Sequence, residues 1–494
     1  MAGYDFDMVV IGGGAAGLTA SGIAANFGAK TMMIEAERLG GDCTWTGCIP
    51  SKALLKAGKV ARQMRNASQY GLIEKEAEIN FKKIIQHVDE VRRKVYHDAD
   101  RPEIFEEMGI EVVKGTASFK DDHTISIAGS EEGERMVTSK YFIIATGAKA
   151  WVPSIPGLDQ VDYLTNESLF ETETFPSKLI IIGGGPIGTE MSQAFAHLGS
   201  KVTVIDVADR ILAKDDADLA QILQKELQKD GVGYELGSDV KKVEKKGEQL
   251  LVHIEKDGAE KVITGDQLLM ATGRRANIHT LELDKAGVKT EKGSIAVDNA
   301  CRTNVRHIYA AGDVTGRYQF THMSEHMAKV AATKALLKVV PMKIDHKHVP
   351  WVTFTSPELA HVGATEQELK SKNENYEVYR FPYSKIDRAI SESEDAGMIK
   401  IFAKKMSGKI LGASVVGAHA GEFISEYALA MKNGVSMKGI ADTIHPYPSW
   451  GLGARRAADQ WYIKNQREWV VKLIQKIFGY NGQVPDYSDK NRVV

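Results

Sequence analysis

Short, uninterrupted apolar runs that end at glycine recur along the chain. Residues 8–11 and 179–182 each run into a cluster of three glycines and then into a helix-like segment. A second type of run lies at residues 141–145 and 268–272. The first copy is followed by Thr146 and Gly147, and the second, which ends in Thr272, is followed by Gly273. Runs of this length bounded by glycine are typical of strands buried on both faces. The pattern therefore predicts an α/β fold with parallel sheets covered by helices.

The two glycine clusters have the spacing G-x-G-x-x-G, and an acidic residue follows each of them. The first copy contains Gly12, Gly14, Gly17 and Glu35, and the second contains Gly183, Gly185, Gly188 and Asp206. The glycine spacing alone is a weak signal, but each copy also has the flanking strand, the helix and the acid about 20 residues on. Such glycines let a pyrophosphate approach a helix N-terminus, and the acid binds the ribose. We expect two dinucleotide sites, with a simple strand-to-helix turn as the alternative for each.

The repeated pattern divides the chain into domains. We expect a first dinucleotide-binding domain over residues 1–150 that resumes over 276–345, with a second one inserted at 151–275. From residue 346 the pattern changes to strand-like runs and short helices, which predicts an α+β domain over 346–478. Residues 479–494 are polar with glycine and proline, and they predict a flexible tail.

Composition narrows the functional classes. The chain has 494 residues, of which 43% are hydrophobic and 26% charged, and its formal net charge is -2. We expect neither nucleic acid nor a membrane as partner, because the charge is balanced and no apolar run reaches the roughly 18 residues of a membrane span. Three cysteines do not form a stabilising disulfide framework. No charged leader precedes the first strand, so we expect a cytoplasmic protein, with an organelle as the alternative.

Two of the three cysteines, Cys43 and Cys48, lie in one short run at residues 40–52. Five residues of ideal helix rise by about 7.5 Å, whereas a disulfide bridges at most roughly 7 Å between Cα atoms. A bond between them needs a distorted turn, for which Pro50 offers a reason. A bridge in poor geometry is easily reduced, and so small a loop adds little stability. The pair indicates a redox-active disulfide. Two buried or metal-binding thiols are the alternative, although the second cysteine pair usual in zinc sites is missing.

Together these elements resemble the flavoprotein disulfide reductases, which include dihydrolipoamide dehydrogenase, glutathione reductase and mercuric reductase. The resemblance covers roughly residues 5–465. Its most specific part is the Gly-Gly-x-Cys-x4-Cys-x-Pro-Ser-Lys run at residues 40–52, and next comes the segment 303–313, which is similar to the family's second flavin motif. The resemblance implies two Rossmann-like domains, one inserted in the other, and a C-terminal α+β dimerisation domain. It also implies a homodimer, and we expect no resident metal.

The resemblance also implies residue roles. FAD would be held by the first fingerprint and Asp313, and the nicotinamide cofactor by the second fingerprint. Cys48 matches the thiol beside the flavin, whose thiolate forms a charge-transfer contact, and Cys43 matches the thiol that meets the substrate. Lys52 matches the lysine beside the flavin ring and Glu190 its acidic partner, although each could be an ordinary helix charge. The remaining candidates for cofactor binding follow the buried strands and are Thr146, Gly147 and Gly273.

The choice of nicotinamide cofactor depends on Asp206. An acid at the end of this strand accepts hydrogen bonds from a ribose 2′-hydroxyl and repels a 2′-phosphate. Val207 and Ala208 offer a phosphate no positive charge, and Arg210 is the possible exception. We therefore expect NADH, with NADPH as the alternative.

The C-terminal region departs from the family's commonest pattern. Reductases of organic disulfides carry His-Pro-Thr-x-x-Glu, a general base with its carboxylate, whereas residues 444–452 read Ile-His-Pro-Tyr-Pro-Ser-Trp-Gly-Leu. One register puts Tyr447 at the base position and Leu452 at the acid, and the other puts His445 and Trp450 there. Neither register gives a His–Glu pair, and tyrosine is a poor base at neutral pH. Tyrosine here is similar to mercuric reductases, but their C-terminal cysteine pair is missing.

We therefore expect an FAD-dependent oxidoreductase that passes hydride from NAD(P)H through FAD to a Cys43–Cys48 disulfide. The expected final acceptor is small, with a metal ion or a quinone favoured, because such acceptors need no general base. A dihydrolipoamide dehydrogenase-like enzyme that uses His445 is the first alternative. A flavin-bound redox sensor or scaffold with little turnover is the alternative from another class.

Overall fold

The computed structural model describes residues 3–130 and 133–484. The chain separates into two compact units, each with a hydrophobic core of its own. The first unit comprises the described part of Met1–Val207 and Gly233–Asp345, and the second that of Ala208–Val232 and His346–Val494.

The first sheet of the first unit contains the first glycine fingerprint. Its parallel strands lie in the order Ile110–Lys114, Thr31–Glu35, Phe6–Ile11, Gly133–Ile144 and Ile308–Ala310. Antiparallel strands continue from the first half of Gly133–Ile144, namely Thr124–Ser130 and Thr116–Phe119. The central strands are almost fully buried, which explains why their sequences are apolar throughout rather than alternating.

The second sheet repeats this arrangement around the second fingerprint. Its parallel strands lie in the order Gly233–Leu236, Lys201–Asp206, Lys178–Ile182 and Gln267–Met270. An antiparallel sheet follows in the same part of the chain, made of Asp239–Lys246, Gln249–Lys256 and Ala259–Gly265. Two small two-stranded sheets pair Ala148–Ala150 with Arg274–Ala276 and Thr290–Glu291 with Ser294–Ile295.

Helices complete the first unit. They are Ala15–Asn26, Gly41–Trp45, Cys48–Arg65, Phe81–Val95, Pro102–Glu106, Pro186–His197 and Thr321–Leu336. The second sheet is formed entirely by residues that lie, in sequence, between two strands of the first sheet. This confirms the predicted pair of Rossmann-like folds, one inserted in the other.

The second unit is built on an antiparallel sheet. Its strands lie in the order Pro350–Thr353, Glu358–Gly363, Ile410–Gly417, Met398–Ala403 and Glu377–Pro382. Its helices are Ala217–Lys229, Glu366–Ser371, Asp387–Ser391, Ala420–Lys432, Met437–Asp442, Leu452–Asn465 and Glu468–Phe478. The predicted α+β class of the C-terminal domain is confirmed.

Two expectations concern membranes and the C-terminal tail. Among the described residues, no helix combines the length and the apolar character needed to cross a bilayer. The predicted flexible tail, residues 479–494, lies outside the described residues from residue 485 onward.

Candidate active site

Each glycine fingerprint forms the same tight turn between a strand and a helix. Gly12 has a φ of 109° and Gly183 a φ of 115°, both in the region that favours glycine. A Cβ atom on Gly12 would lie 2.3 Å from the carbonyl oxygen of Ala145, and one on Gly183 would lie 2.3 Å from that of Ala271. Each fingerprint therefore packs directly on the end of the neighbouring buried strand, which explains why the two sequence signals recur together.

The acid that follows each fingerprint is held against the glycine turn. Glu35 Oε2 accepts a hydrogen bond from the Gly13 amide at 2.6 Å, and Asp206 Oδ2 accepts one from the Gly184 amide at 2.5 Å. Burial raises the pKa of Glu35, and the backbone hydrogen bonds oppose this effect. The two carboxylates thus occupy equivalent places, where the acid of a dinucleotide site contacts ribose.

The first turn fits the pyrophosphate group of FAD. A Cβ on Gly41 would lie 2.8 Å from the Gly14 Cα, so bare backbone lines both sides of the turn. Gly14 also gives the helix Ala15–Asn26 no side-chain cap, which leaves the first amides of the helix for an anion. In the second turn a Cβ on Gly185 would meet nothing within 4 Å, and its helix, Pro186–His197, likewise has no side-chain cap. Both turns therefore suit a bound dinucleotide.

The two cysteines lie on separate helices. The helix Gly41–Trp45 carries Cys43, and the next helix, Cys48–Arg65, begins at the second cysteine after an interruption at Gly47. The expected distorted turn is therefore present. Pro50 is the third residue of the second helix, and a helix continuing unbroken from the first would need the amide hydrogen that proline lacks. Gly47 lies at the interruption, and a Cβ there would lie 2.9 Å from the Asp42 carbonyl oxygen.

The thiols of Cys43 and Cys48 are half-buried and interact with each other. The Thr321 hydroxyl lies 3.3 Å from Cys48 Sγ. The hydrogen bond from Cys43, the hydrogen bond from Thr321 and the charge of Lys52 together lower the pKa of Cys48 to about 6, although burial opposes them. The hydrogen bond to Cys48 and burial raise the pKa of Cys43. Near neutral pH the negative charge therefore resides on Cys48.

Lys52 and Glu190 are brought together by the fold. Lys52 Nζ lies 2.9 Å from Glu190 Oε2, and the Glu190 side chain is only 7% exposed. Lys52 follows Cys48 by about one turn in the helix Cys48–Arg65, while Glu190 lies in the helix Pro186–His197 after the second fingerprint. A buried carboxylate needs such a partner, so the ion pair fixes the lysine charge near the thiols.

Sequence analysis missed an arginine between two acids. The Arg274 guanidinium contacts the carboxylate of Asp42, its Nε lies 3.6 Å from that of Asp313, and its side chain is 13% exposed. Burial raises the pKa of Asp313, and the charge of Arg274 opposes this. Two features of the sequence could have drawn attention to this contact: Asp42 directly precedes Cys43, and Arg274 directly follows Gly273. The contact spans 232 residues of sequence and follows only from the fold.

The remaining candidates for cofactor binding lie at the ends of the two buried strands. The Thr146 hydroxyl donates a hydrogen bond to the Asn277 carbonyl oxygen at 2.7 Å. Gly147 and Gly273 have φ values of 68° and 123°, and a Cβ on either would meet nothing within 4 Å. The backbone conformation, rather than a close neighbour, therefore explains why glycine occurs at both positions.

In the second unit, His445 pairs with a carboxylate. His445 Nε2 lies 2.9 Å from Glu426 Oε1, and His445 Nδ1 lies 3.0 Å from the Thr443 carbonyl oxygen. The expectation of no His–Glu pair is therefore wrong, because the acid comes from the helix Ala420–Lys432 rather than from the loop itself. His445 therefore has an oxygen atom within hydrogen-bond distance of each ring nitrogen.

Tyr447 lies on the same loop and is 71% exposed. With His445, Arg455 and Arg456 it lines an open pocket of about 410 Å³. Leu452, at the position where one register expects a carboxylate, is buried in the core. The pocket therefore combines the phenol of the loop with two arginines and the Asp459 carboxylate of the helix Leu452–Asn465.

A cluster of potential metal ligands lies elsewhere in the first unit. Asp122, His123 and His307 place one ligand atom each within 4.8 Å of one another. The two imidazole rings stack at 3.8 Å with an angle of 5°, so their in-plane lone pairs run parallel instead of converging. His123 Nδ1 also lies 2.8 Å from the Ser139 carbonyl oxygen, and His307 Nε2 lies 2.7 Å from that of Asp122. We assign no metal to this cluster.

Two sheets, each with a glycine turn and an acid, together with an adjacent pair of thiols define a dinucleotide-dependent thiol oxidoreductase. Residues 6–328 match the family model described as pyridine nucleotide-disulphide oxidoreductase. Residues 349–455 match the dimerisation domain of the same family. The chain belongs to this family of FAD-dependent, NAD(P)H-using enzymes, and the second match supports a homodimer.

Two curated relatives show how similar the chain is to named enzymes. A mercuric reductase from Staphylococcus aureus is 36% identical over 459 residues, which cover 92% of this chain and 82% of the relative. A dihydrolipoyl dehydrogenase from Bacillus subtilis is 35% identical over 464 residues, which cover 92% and 97% of the two chains.

Solved structures give the same picture. A Cu(II) complex of the HOCl-induced flavoprotein disulfide reductase RclA from Escherichia coli has a TM-score of 0.81 at 28% identity, covering 93% of this chain and 99% of that chain. LpdA from Mycobacterium tuberculosis has a TM-score of 0.84 at 27% identity, covering 92% and 99%.

Proposed function

We propose that the enzyme oxidises NADH and uses the Cys43–Cys48 pair to reduce a small acceptor, a metal ion or a quinone. The observation that carries this proposal is the pair of neighbouring thiols with the Thr321 hydroxyl 3.3 Å from Cys48 Sγ and the Lys52 charge nearby, an arrangement that lowers the pKa of Cys48 to about 6. Such a pair holds two electrons and keeps one sulfur as a thiolate at neutral pH.

The chain's own residues would stabilise the reduced pair. FAD, when bound, takes up the nicotinamide hydride and supplies the two electrons that open the disulfide. Opening the bond gives one thiolate and one thiol, and the hydrogen of the transferred hydride accounts for the proton on the thiol. The Thr321 hydroxyl and the Lys52 ammonium group favour the thiolate at Cys48, while Cys43 retains the proton.

The C-terminal loop, residues 444–452, bears on the kind of acceptor. Reduction of an organic disulfide requires a group that exchanges protons with the departing thiol. In one register Tyr447 and Leu452 stand where the base and its acid would be, and in the other His445 contacts Glu426 of a helix rather than an acid of the loop. Thiolates bind soft metal ions directly and need no such base. The names of the Staphylococcus aureus mercuric reductase and of the Cu(II) complex of RclA agree with this choice.

A panel of acceptors tests the proposal. We expect NADH oxidation to continue over many turnovers with Hg²⁺, Cu²⁺ or a short-chain quinone, and to be slow with lipoamide. Cys43→Ser should abolish this turnover, whereas Cys301→Ser, at a fully buried cysteine outside the pair, should retain it. Faster turnover with lipoamide than with any of the other acceptors would contradict the proposal. Consumption of one equivalent of NADH and then no more would indicate a redox sensor.

A dihydrolipoamide dehydrogenase-like activity is the second candidate, because His445 has a carboxylate partner after all. If His445 takes part in such chemistry, Glu426→Gln should lower lipoamide turnover by roughly tenfold or more. Glu422→Gln, one turn earlier in the same helix, is the matched control. Equal rates in the two variants would remove this candidate.

We propose NADH as the preferred donor because of Asp206. Its carboxylate is fixed on the Gly184 amide, where it would meet a 2′-phosphate with like charge. Arg210, the possible exception, donates instead to the Ala213 carbonyl oxygen at 2.8 Å. Asp206→Ser should shift the ratio of kcat/KM toward NADPH by roughly tenfold, while Asp209→Ser, at a side chain 87% exposed, should not. A wild-type preference for NADPH would contradict the assignment.

A further inference from the structure

The last helix of the second unit, Glu468–Phe478, is strongly two-sided; we call it the C-terminal helix. With 3.6 residues per turn, its polar residues share an arc of about 100° and its apolar residues fill roughly 200° on the other side. The polar residues are Glu468, Lys472, Gln475 and Lys476. The apolar residues are Trp469, Val470, Val471, Leu473, Ile474, Ile477 and Phe478.

The apolar side of the C-terminal helix is not buried. Trp469, Ile477 and Phe478 are 63%, 63% and 64% exposed, and none of the eleven residues of the helix is buried. A helix with this pattern normally packs its apolar side on a core. Over the described residues the core of the second unit does not include it. The sequence beyond residue 484 is mainly polar and offers little apolar surface as a cover.

Charge identifies the kind of surface that fits this helix. The C-terminal helix contains two lysines and one glutamate, and Arg467 directly precedes it, although the whole chain has a net charge of -2. Lys472 and Lys476 lie on the polar side, and Lys472 pairs with Glu468 at 2.5 Å. Lysine on the polar side with tryptophan and phenylalanine on the apolar side is typical of helices that lie in the headgroup region of a membrane. Anionic lipid would complement the excess positive charge.

The family match argues against a second copy of the chain as the occupant. The dimerisation domain matches residues 349–455, so the C-terminal helix begins thirteen residues after its end. A subunit contact made by this domain therefore does not require the helix. At eleven residues, or about 16 Å, the helix is also too short to cross a bilayer.

We propose that the C-terminal helix binds the surface of an anionic lipid bilayer, lying in the membrane plane with its apolar side among the acyl chains. This revises the sequence-based expectation that a membrane is not a partner, and it is compatible with the lack of a membrane-spanning helix among the described residues. The proposal does not depend on the identity of the electron acceptor. It makes the enzyme a peripheral membrane protein.

Sedimentation with lipid vesicles tests this proposal on the full-length, FAD-loaded protein. We expect it to sediment with vesicles of equal parts phosphatidylglycerol and phosphatidylcholine, and to bind phosphatidylcholine vesicles at least tenfold more weakly. Added salt should weaken the binding. Ile477→Glu should reduce the partition coefficient between vesicles and water by about tenfold or more, because it places a charge on the side that would lie among the acyl chains.

The matched control is Ile73→Glu, the same substitution at an isoleucine that is 95% exposed in a loop of the first unit. It should bind vesicles as the wild type does, and NADH should reduce the flavin equally in all three proteins. Wild-type protein that ignores both kinds of vesicle would overturn the proposal. So would equal binding of wild type and Ile477→Glu. Size-exclusion chromatography in which Ile477→Glu alone dissociates a larger assembly, without vesicle binding, would assign the face to contacts between copies and also overturn it.

Discussion

Lys52 Nζ lies 2.9 Å from the Glu190 carboxylate. The contact joins the helix that begins at Cys48 to the helix that follows the second glycine turn. The charge of Lys52 also lowers the pKa of Cys48. A single ion pair therefore connects the reactive thiol with the element that begins at the second dinucleotide turn.

Replacing Lys52 tests whether its charge acts on the thiol. Lys52→Met should raise the pKa of Cys48 by about one unit, since a nearby positive charge favours the thiolate. The measurement is the pH dependence of thiolate absorbance near 240 nm in the reduced protein. Lys56→Met, at an exposed lysine one turn further along the helix, is the control and should titrate like the wild type. Identical midpoints in both variants would mean that the Lys52 charge does not reach the sulfur.

The Thr321 hydroxyl makes a separate contribution at Cys48. Thr321→Val removes a donor 3.3 Å from the sulfur and should move the thiolate midpoint upward from about pH 6 by about one unit. Because the hydroxyl stabilises the thiolate form, the thiolate fraction of the variant should differ most from that of the wild type at pH values between the two midpoints. At high pH both proteins should be fully in the thiolate form. Thr321→Ser keeps the hydroxyl and should restore the wild-type titration. A serine variant that titrates like valine would point to packing rather than hydrogen bonding.

Arg274 should matter for retention of FAD. Arg274→Met leaves the carboxylates of Asp42 and Asp313 without their shared cation beside a site that must accept a pyrophosphate. We expect the dissociation constant for FAD to rise about tenfold, corresponding to about 1.4 kcal/mol. Fluorescence of FAD released on dilution measures it. Arg275→Met, at the exposed arginine next to it, should change retention little.

Lys400 in the second unit offers a test of stability. It is 1% exposed and lies 2.7 Å from both Asp218 and Glu366. Lys400→Met should lower the free energy of unfolding by about 3 kcal/mol, because it leaves carboxylates without their buried partner. Lys370→Met removes the other, 67% exposed partner of Glu366 and should cost less than about 1 kcal/mol. Urea denaturation at pH 7 measures both variants, and equal losses would contradict the assignment.

The ion pairs of Glu366 with Lys400 and Lys370 predict how the free energy of unfolding falls at acidic pH. Burial tends to raise the pKa of Glu366, but hydrogen bonds from Lys370 and Lys400 outweigh it and lower the pKa to about 2. A carboxyl group whose folded pKa is depressed stabilises the protein fully above its ordinary value of 4.5 and loses this contribution as the pH falls toward 2. Lys400→Met should therefore lose less stability than the wild type between pH 4.5 and pH 2.

The sequence predicted those parts of the site that depend on local backbone. Gly12 and Gly183 adopt conformations and close approaches that only glycine tolerates, so their spacing already specified both dinucleotide turns. The break between Cys43 and Cys48 was also expected, from the reach of a disulfide and from Pro50, and Gly47 lies at the interruption.

Contacts between distant segments were not accessible from a single sequence. Thr321 reaches Cys48 across 273 residues, and Glu426 reaches His445 from another helix. Neither residue belongs to a motif with local spacing, and helical periodicity does not distinguish a thiol-facing hydroxyl from a packed one. The Lys52–Glu190 pair was anticipated only through the resemblance to a family.

The most direct test of the redox pair is an anaerobic titration of the purified, FAD-loaded enzyme with NADH, followed by visible spectroscopy. We expect a long-wavelength charge-transfer band after one two-electron equivalent, present in wild type and in Cys301→Ser and absent from Cys48→Ser. Alkylation after that equivalent should find two thiols released at Cys43 and Cys48. Bleaching of the flavin absorbance at the first equivalent, with no such band and no released thiols, would contradict the account and leave a flavin reductase that does not use its cysteines.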